Sequence, residues 1–250
     1  FFEEIKGKIV NCAFYDLDYE LNITNLIMEK SNLNFNAIPD KNPSLMHHKF
    51  CIIDEKKVIT GSTNPTENGL TKNNNNLIII YSKEISKIYQ NEFDEMKKGI
   101  YGRGKETINK IEKMNIFFCP EDDCQGKLIE KIKNAKQEIN FATFSFTDRA
   151  IATELILAKE KGIKIKGIIE KRMFNNSVAK YLKENDISVY YDENPNTMHH
   201  KFFVFDNEIT FTGSYNPSNN GNKNNDENII IIYDNKITKA FNQELNRILN

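Results

Sequence analysis

Met46-His47-His48-Lys49-Phe50 recurs as Met198-His199-His200-Lys201-Phe202, and these two stretches hold all four histidines of the 250-residue chain. In each copy four residues separate the lysine from an aspartate, Asp54 or Asp206, and a Gly-Ser-x-Asn run follows: Gly61-Ser62-Thr63-Asn64 and Gly213-Ser214-Tyr215-Asn216. Residues 46–81 superpose on residues 198–233 at a constant offset of 152 without a gap, from the Met-His-His-Lys-Phe run to the closing Ile-Ile-Ile-Tyr. An in-register match of that length is a duplication, and it sets the architecture: two halves built on one plan.

Working outward, Phe50–Ile53 and Val58–Thr60 read as strands joined by the polar turn Asp54-Glu55-Lys56-Lys57, so each His-x-Lys pair opens a β-hairpin. Leu77–Tyr81 is a further apolar strand, and Ser82–Lys98 carries apolar residues at helical spacing. Upstream, Ile9–Tyr15 reads as a buried strand and Ile23–Lys30 as a short helix. The second half is fuller. Strands are expected at 116–118, 139–146, 163–170 and 187–191, with helices at 127–136, 148–161 and 177–184. The helix from Asp148 ends at Gly162, and the strand-helix-strand run around it implies a parallel pair. Three glycines in Gly99–Lys105 mark a linker. The expected domains are residues 1–98, a linker at 99–114, and 115–250. With Ile9 aligned to Ile139, the first half lacks one strand and one helix of the second; either it is reduced, or a stretch near Ser31–Lys41 is missing from the sequence.

Residues i and i+2 of a strand share a face, so His47 projects with Lys49 and His199 with Lys201, while His48 and His200 turn the other way into packing or a backbone hydrogen bond. A fixed imidazole and ammonium suit a phosphate: the lysine neutralises oxygens, and the histidine attacks phosphorus or moves a proton. Two such pairs about a pseudo-dyad give a nucleophile and a general acid on opposite sides of one phosphoryl group. The glycine permits close backbone approach, and Ser62, Ser214, Asn64 and Asn216 offer neutral phosphate donors. Asp54 and Asp206, which end the first hairpin strand, read as turn-stabilising residues.

The net charge of −1 argues against a strong global field for nucleic acid and leaves room for a local basic cleft. No apolar run approaches the ~20 residues of a transmembrane helix. The chain starts at Phe1, so an upstream segment carrying any signal or anchor is expected, and localisation stays open. Cys12 and Cys51 sit in apolar runs and read as buried thiols; Cys119-Pro-Glu-Asp-Asp-Cys124 fits a short disulfide loop and, equally, two free thiols. No zinc site is expected, although four histidines leave a four-His metal centre as a minor alternative.

The pattern His-x-Lys-x4-Asp followed by Gly-Ser-x-Asn, intact twice, resembles the phospholipase D superfamily. The resemblance implies an α/β fold of two pseudo-symmetric α-β-α-β-α sandwich halves with mixed central sheets, sharing one active site. It implies metal-independent, cofactor-free phosphodiester cleavage through a covalent phosphohistidine. His47, Lys49 and Asn64 would then face His199, Lys201 and Asn216, with Asp54 and Asp206 completing the motif, His47 as nucleophile and His199 as acid. Family members also place an acidic residue downstream to orient an imidazole. Glu227 fits in the second half; in the first the aligned residue is Asn75, so the histidines should differ, with the partner of Glu227 left open. Two compact halves resemble the small nucleases of the family, giving DNA or RNA as expected substrate. A lipid phosphodiester is the main alternative, and a silent phosphate-binding module a third. The site would be complete in one chain, without an obligatory oligomer.

Overall fold

The structure, a computed structural model, describes residues 10–14, 38, 42–104 and 109–250; the helix expected at 23–30 lies outside them. Strands β1 (Val10–Phe14), β2 (Lys49–Ile53), β3 (Lys57–Gly61) and β4 (Leu77–Tyr81) form a four-stranded antiparallel sheet in that order. Helix α1 (Glu67–Thr71) bridges β3 and β4, and α2 (Lys83–Lys97) follows, its first turn capped by the Ser82 hydroxyl.

The second half contains β5 (Asn109–Ile111), β6 (Met114–Cys119), α3 (Cys124–Asn134), β7 (Glu138–Thr143), α4 (Arg149–Glu160), β8 (Lys164–Ile169), α5 (Lys171–Phe174), α6 (Ala179–Lys183), β9 (Ser188–Tyr191), β10 (Lys201–Phe205), β11 (Ile209–Gly213), α7 (Asn219–Lys223), β12 (Glu227–Tyr233) and α8 (Asn235–Leu249). Its eight-stranded sheet runs β5-β6-β12-β11-β10-β7-β8-β9. Only β7-β8 and β8-β9 are parallel, so the sheet is mixed, and the expected βαβ unit is present. Asp148 caps α4 by accepting from Ala150 and Ile151, and Gly162 ends it at φ 91°, a conformation glycine adopts without strain.

Strand β1 occupies the position of β7, with a one-residue correction to the sequence alignment. Val10 pairs with Ile53 as Ile139 pairs with Phe205, so Val10, not Ile9, matches Ile139. The segment read as a linker carries β5, which hydrogen-bonds to β6.

Strand alternation sorts the core. Phe203, Phe205 and Phe211 pack with Leu128, Leu155 and Leu182 from α3, α4 and α6 on one face of the large sheet. Phe202 and Val204 face Phe241 and Leu245 of α8 on the other. Phe50, Ile52 and Tyr89 of the first half share a cluster with Ile116, Phe118, Ile230 and Ile232 of the second, so the halves are joined by apolar core. Burying each such side chain stabilises by about 1.5–3 kcal/mol.

Both cysteine pairs are disulfides, Cys12–Cys51 and Cys119–Cys124. The first corrects the reading of Cys12 and Cys51 as buried thiols. They stand directly opposite each other in the β1-β2 register, with Cα atoms 4.1 Å apart, a relation that separate apolar runs do not disclose. Among the described residues no helix is long and apolar enough to cross a membrane.

Candidate active site

The two motif segments meet across the pseudo-dyad through the backbone. His47 N–H donates to Asp226 O and His199 N–H to Asn74 O, each at 2.9 Å, and Asp226 and Asn74 are themselves 152 residues apart. Each histidine is therefore seated on the loop of the opposite half. Lys49 and Lys201 are almost fully buried, and each Nζ donates to the carbonyl two residues back, His47 O and His199 O, at 2.9 Å.

The orienting groups cross over as well. His47 Nδ1 lies 2.7 Å from Glu227 Oε2 and 2.9 Å from Oε1. His199 Nδ1 lies 3.0 Å from Ser62 O and 3.1 Å from Asn75 Oδ1. The Ser62 carbonyl only accepts, so Nδ1 carries the hydrogen in His199, and the ionised Glu227 carboxylate selects the same tautomer in His47; Nε2 is then the nitrogen free for chemistry in both rings. The question left by the sequence is answered by this geometry: the carboxylate serves His47 and the amide serves His199.

Ser62 and Ser214 take a different place from the phosphate donors expected of them. Ser214 Oγ donates to Glu227 Oε2 at 2.6 Å and Ser62 Oγ to Asn75 Oδ1 at 3.1 Å, so each hydroxyl fixes the group that fixes a histidine. The glycines before them are set by strand packing: a Cβ on Gly213 (φ 151°) would lie 2.1 Å from Asn228 O, and on Gly61 (φ 137°) 2.4 Å from Asn76 O. Asn216 Oδ1 is buried without a hydrogen-bond partner, and Asn64 is half-buried at the matching position.

Asp206 does not reach the site. It stands at the far end of β10 at φ 54°, where its carboxylate accepts from the backbone N–H groups of Lys136, Gln137 and Glu138. Asp54 holds the same turn position at φ 51°. The resemblance counts both with the motif; the bonds of Asp206 are those of a turn-stabilising residue, and Asp54 shares its backbone conformation. His48 and His200 turn away from the site into packing as expected, against Phe50 and Phe118 and against Phe202, and each also meets a carboxylate: His48 Nε2 lies 3.3 Å from Glu92 on α2, and His200 Nε2 2.9 Å from Glu244 on α8. The four histidines thus divide between two faces and do not gather as a metal site; the one group of potential ligands among the described residues is Glu92, Glu95 and Glu121.

Burial, reinforced by the Lys49 and Lys201 ammonium groups, holds both His47 and His199 well below the usual imidazole value. Burial and the facing Lys49 depress Lys201 in the same way. Glu227 is pushed up to about 7 by burial, against the pull of Lys49. Two lysines and two histidines thus crowd one buried setting and oppose each other's protonation. An anionic phosphodiester opposes the downward shifts of His47, His199 and Lys201, which favours its binding.

Several residues at the site escaped the sequence reading. Phe144 sets its ring 5.1 Å from His199, edge to face, with Lys201 Nζ 5.3 Å from its centroid. Glu170, buried at the end of β8, accepts from Met198 N at 2.7 Å and from Arg172 Nε at 2.7 Å, anchoring the segment that enters His199. Arg172 also donates to Asn196 O and Thr197 Oγ1, so it braces that segment. Asn228 is fully buried and binds Thr60 and the Lys49 backbone across the dyad, and Asn76 reaches Thr212 in return. The 152-residue offset was the available signal for Asn76 and Asn228; nothing in the sequence singled out Phe144 or Glu170.

The family profile described as "Cardiolipin synthase, PLD-like domain" matches residues 8–97 and 128–249. The chain belongs to the phospholipase D superfamily, and it is a phosphodiesterase of that superfamily. A protein named phospholipase D from Rickettsia prowazekii is 27% identical over 141 residues, 55% of this chain and 69% of that one. Nuc, a phospholipase D family member from Salmonella typhimurium, superposes with a TM-score of 0.52 at 25% identity, over 55% of this chain and 93% of its own. Phosphatidylserine synthase from Haemophilus influenzae, at 12% identity, shares the fold with a TM-score of 0.62 over 81% of this chain and 61% of its own.

Proposed function

We propose that this enzyme cleaves phosphodiesters without a metal ion, through a phosphohistidine on His47, and that its substrate is nucleic acid. The observation that carries the division of labour is the crossed pairing of His47 with Glu227 and His199 with Asn75. His47 Nε2 attacks phosphorus in line as the P–O bond to the leaving group breaks. Glu227 stabilises the positive charge that develops on the attacking ring. His199, protonated once the bound anion offsets the lysines, gives its Nε2 proton to the leaving oxygen. Asn75 supplies orientation and no charge, so that proton is readily released. Water, deprotonated by His199, then attacks phosphorus and expels His47. Lys49, Lys201, Asn64 and Asn216 hold the equatorial oxygens throughout.

The compact halves and the cationic interior of the site support nucleic acid. A second reading, a phospholipid phosphodiester, is favoured by the printed names of the family profile and of the Rickettsia relative. Incubation with single- and double-stranded DNA and RNA in EDTA, beside vesicles of phosphatidylcholine and cardiolipin and a His199→Ala control, decides between them. Strand cleavage lost in the control is expected. Headgroup release from vesicles with intact nucleic acid would replace this reading with the lipid one.

A further inference from the structure

Strand β9 forms one edge of the eight-stranded sheet, and a groove of about 700 Å³ runs along it, lined by Lys72, Lys183, Tyr190, Tyr191, Asn194 and Arg247 among others. Val189 in the same strand is buried as a core residue should be, yet the next two residues, Tyr190 and Tyr191, are 47% and 52% exposed. Successive strand residues point to opposite faces, so β9 displays an aromatic ring on either side of its edge. On one side Tyr191 meets Phe174 at 5.6 Å between centroids, with Lys171 Nζ 5.6 Å from Tyr191 and Lys183 Nζ 5.5 Å from Phe174. Lys72 and Lys183 are exposed; Arg247 adds a third cation, although Glu244 binds it at 2.7 Å, and Glu193 is the acid in the lining.

The groove ends on the backbone that holds the catalytic centre. Asn194 Nδ2 donates to Asn74 Oδ1 at 2.5 Å and to Lys72 O at 3.2 Å, and Asn74 O accepts from His199 N at 2.9 Å. A chain lying along β9 is thereby led toward His199. Exposed rings interleaved with ammonium groups match the chemistry of a single strand, whose bases stack and whose phosphates seek cations. We propose that this groove is a binding site for single-stranded nucleic acid, holding nucleotides that flank the scissile phosphate. It rests on the nuclease reading given above. The apolar groups at its floor, Ile248 and Leu249, are what an acyl chain would use instead.

The test compares two substrates. Bis(p-nitrophenyl) phosphate reaches only the histidine pair, whereas a fluorescein-labelled oligothymidylate also spans the groove. Tyr190→Ala/Tyr191→Ala should lower kcat/KM for the oligonucleotide about 10- to 100-fold, in line with the loss of base stacking, and leave the small diester within about 2-fold. Tyr190→Phe/Tyr191→Phe, which keeps the rings, should restore the oligonucleotide rate. Lys72→Glu/Lys183→Glu should weaken oligonucleotide binding and flatten its salt dependence. Equal effects on both substrates, or none on either, would overturn the groove while leaving the nuclease reading intact. Native enzyme that hydrolyses the small diester and no nucleic acid would overturn both. Loss of lipid cleavage in the alanine variant, with oligonucleotide turnover unchanged, would make the groove an acyl site.

Discussion

Glu227→Gln is the sharpest perturbation of the crossed pairing. An amide oxygen in the place of Oε2 can still accept from both His47 Nδ1 and Ser214 Oγ, so these two bonds are kept and one charge is removed. In the native site the carboxylate lies 2.7 Å from Nδ1 and is fully buried. With charge centres about 4 Å apart and an effective dielectric near 20, its attraction for an imidazolium is about 4 kcal/mol. That charge appears only as His47 attacks, so the loss falls on the transition state and corresponds to about three decades of rate. The remaining dipoles offset part of it, giving an expected slowing of about 10²- to 10³-fold. Stopped-flow release of p-nitrophenolate from bis(p-nitrophenyl) phosphate reads this step, because that leaving group needs no acid. The acid limb of kcat/KM should move to lower pH, since removing the carboxylate makes His47 easier to deprotonate. A Glu227→Gln enzyme that forms the intermediate within about 3-fold of the native rate would refute the assignment.

Asp206→Ala should cost stability and spare catalysis. It removes the acceptor for three backbone N–H groups, worth about 1–3 kcal/mol in denaturant unfolding, with kcat/KM of the folded enzyme within about 2-fold. A large loss of activity at unchanged stability would return Asp206 to the catalytic set. Cys12→Ser/Cys51→Ser should lower stability by up to about 4 kcal/mol, the chain-entropy value for closing a loop of this length, and a reductant should lower the Tm of native protein in the same direction. Insensitivity to reductant would mean that the bond does not form. Burial, with Glu95 and Asp122 nearby, pushes Glu92 up to about 8. A raised carboxyl binds its proton more tightly when folded, so this stabilising term is complete below about pH 4.5 and is lost as pH rises through about 8. Tm should therefore fall between about pH 5 and 8, and Glu92→Gln should flatten that slope; an unchanged slope would remove Glu92 as its source.

The repeat made the fold legible because a duplicated sequence must repeat its local structure. Both hairpins and α2 stand where apolar periodicity places them, and α8 is the copy of α2 at the same 152-residue offset, although the sequence reading passed over it. Glu227 and Asn75 were visible as unlike residues at one repeated position. Their partners were not, because a swap across a pseudo-dyad depends on how two halves dock, and that docking is set by distributed contacts such as Ile116, Phe118 and Ile230 against Tyr89. The Cys12–Cys51 bond stayed hidden for the same reason: it depends on the register of two strands separated by 39 residues. Ser62 and Ser214 show a further limit. A hydroxyl beside a phosphate site has two chemically reasonable duties, and only coordinates separate donating to substrate from donating to Glu227 or Asn75.

The central claim is that His47, held by Glu227, takes the phosphoryl group and His199 does not. Acid-sparing quench of the enzyme with a labelled diester, followed by peptide mapping under alkaline conditions that preserve phosphohistidine, tests it. Label should be found on His47 in the native enzyme, accumulate there in His199→Ala, and be absent in His47→Ala. Label on His199, or label retained in His47→Ala, would contradict the account.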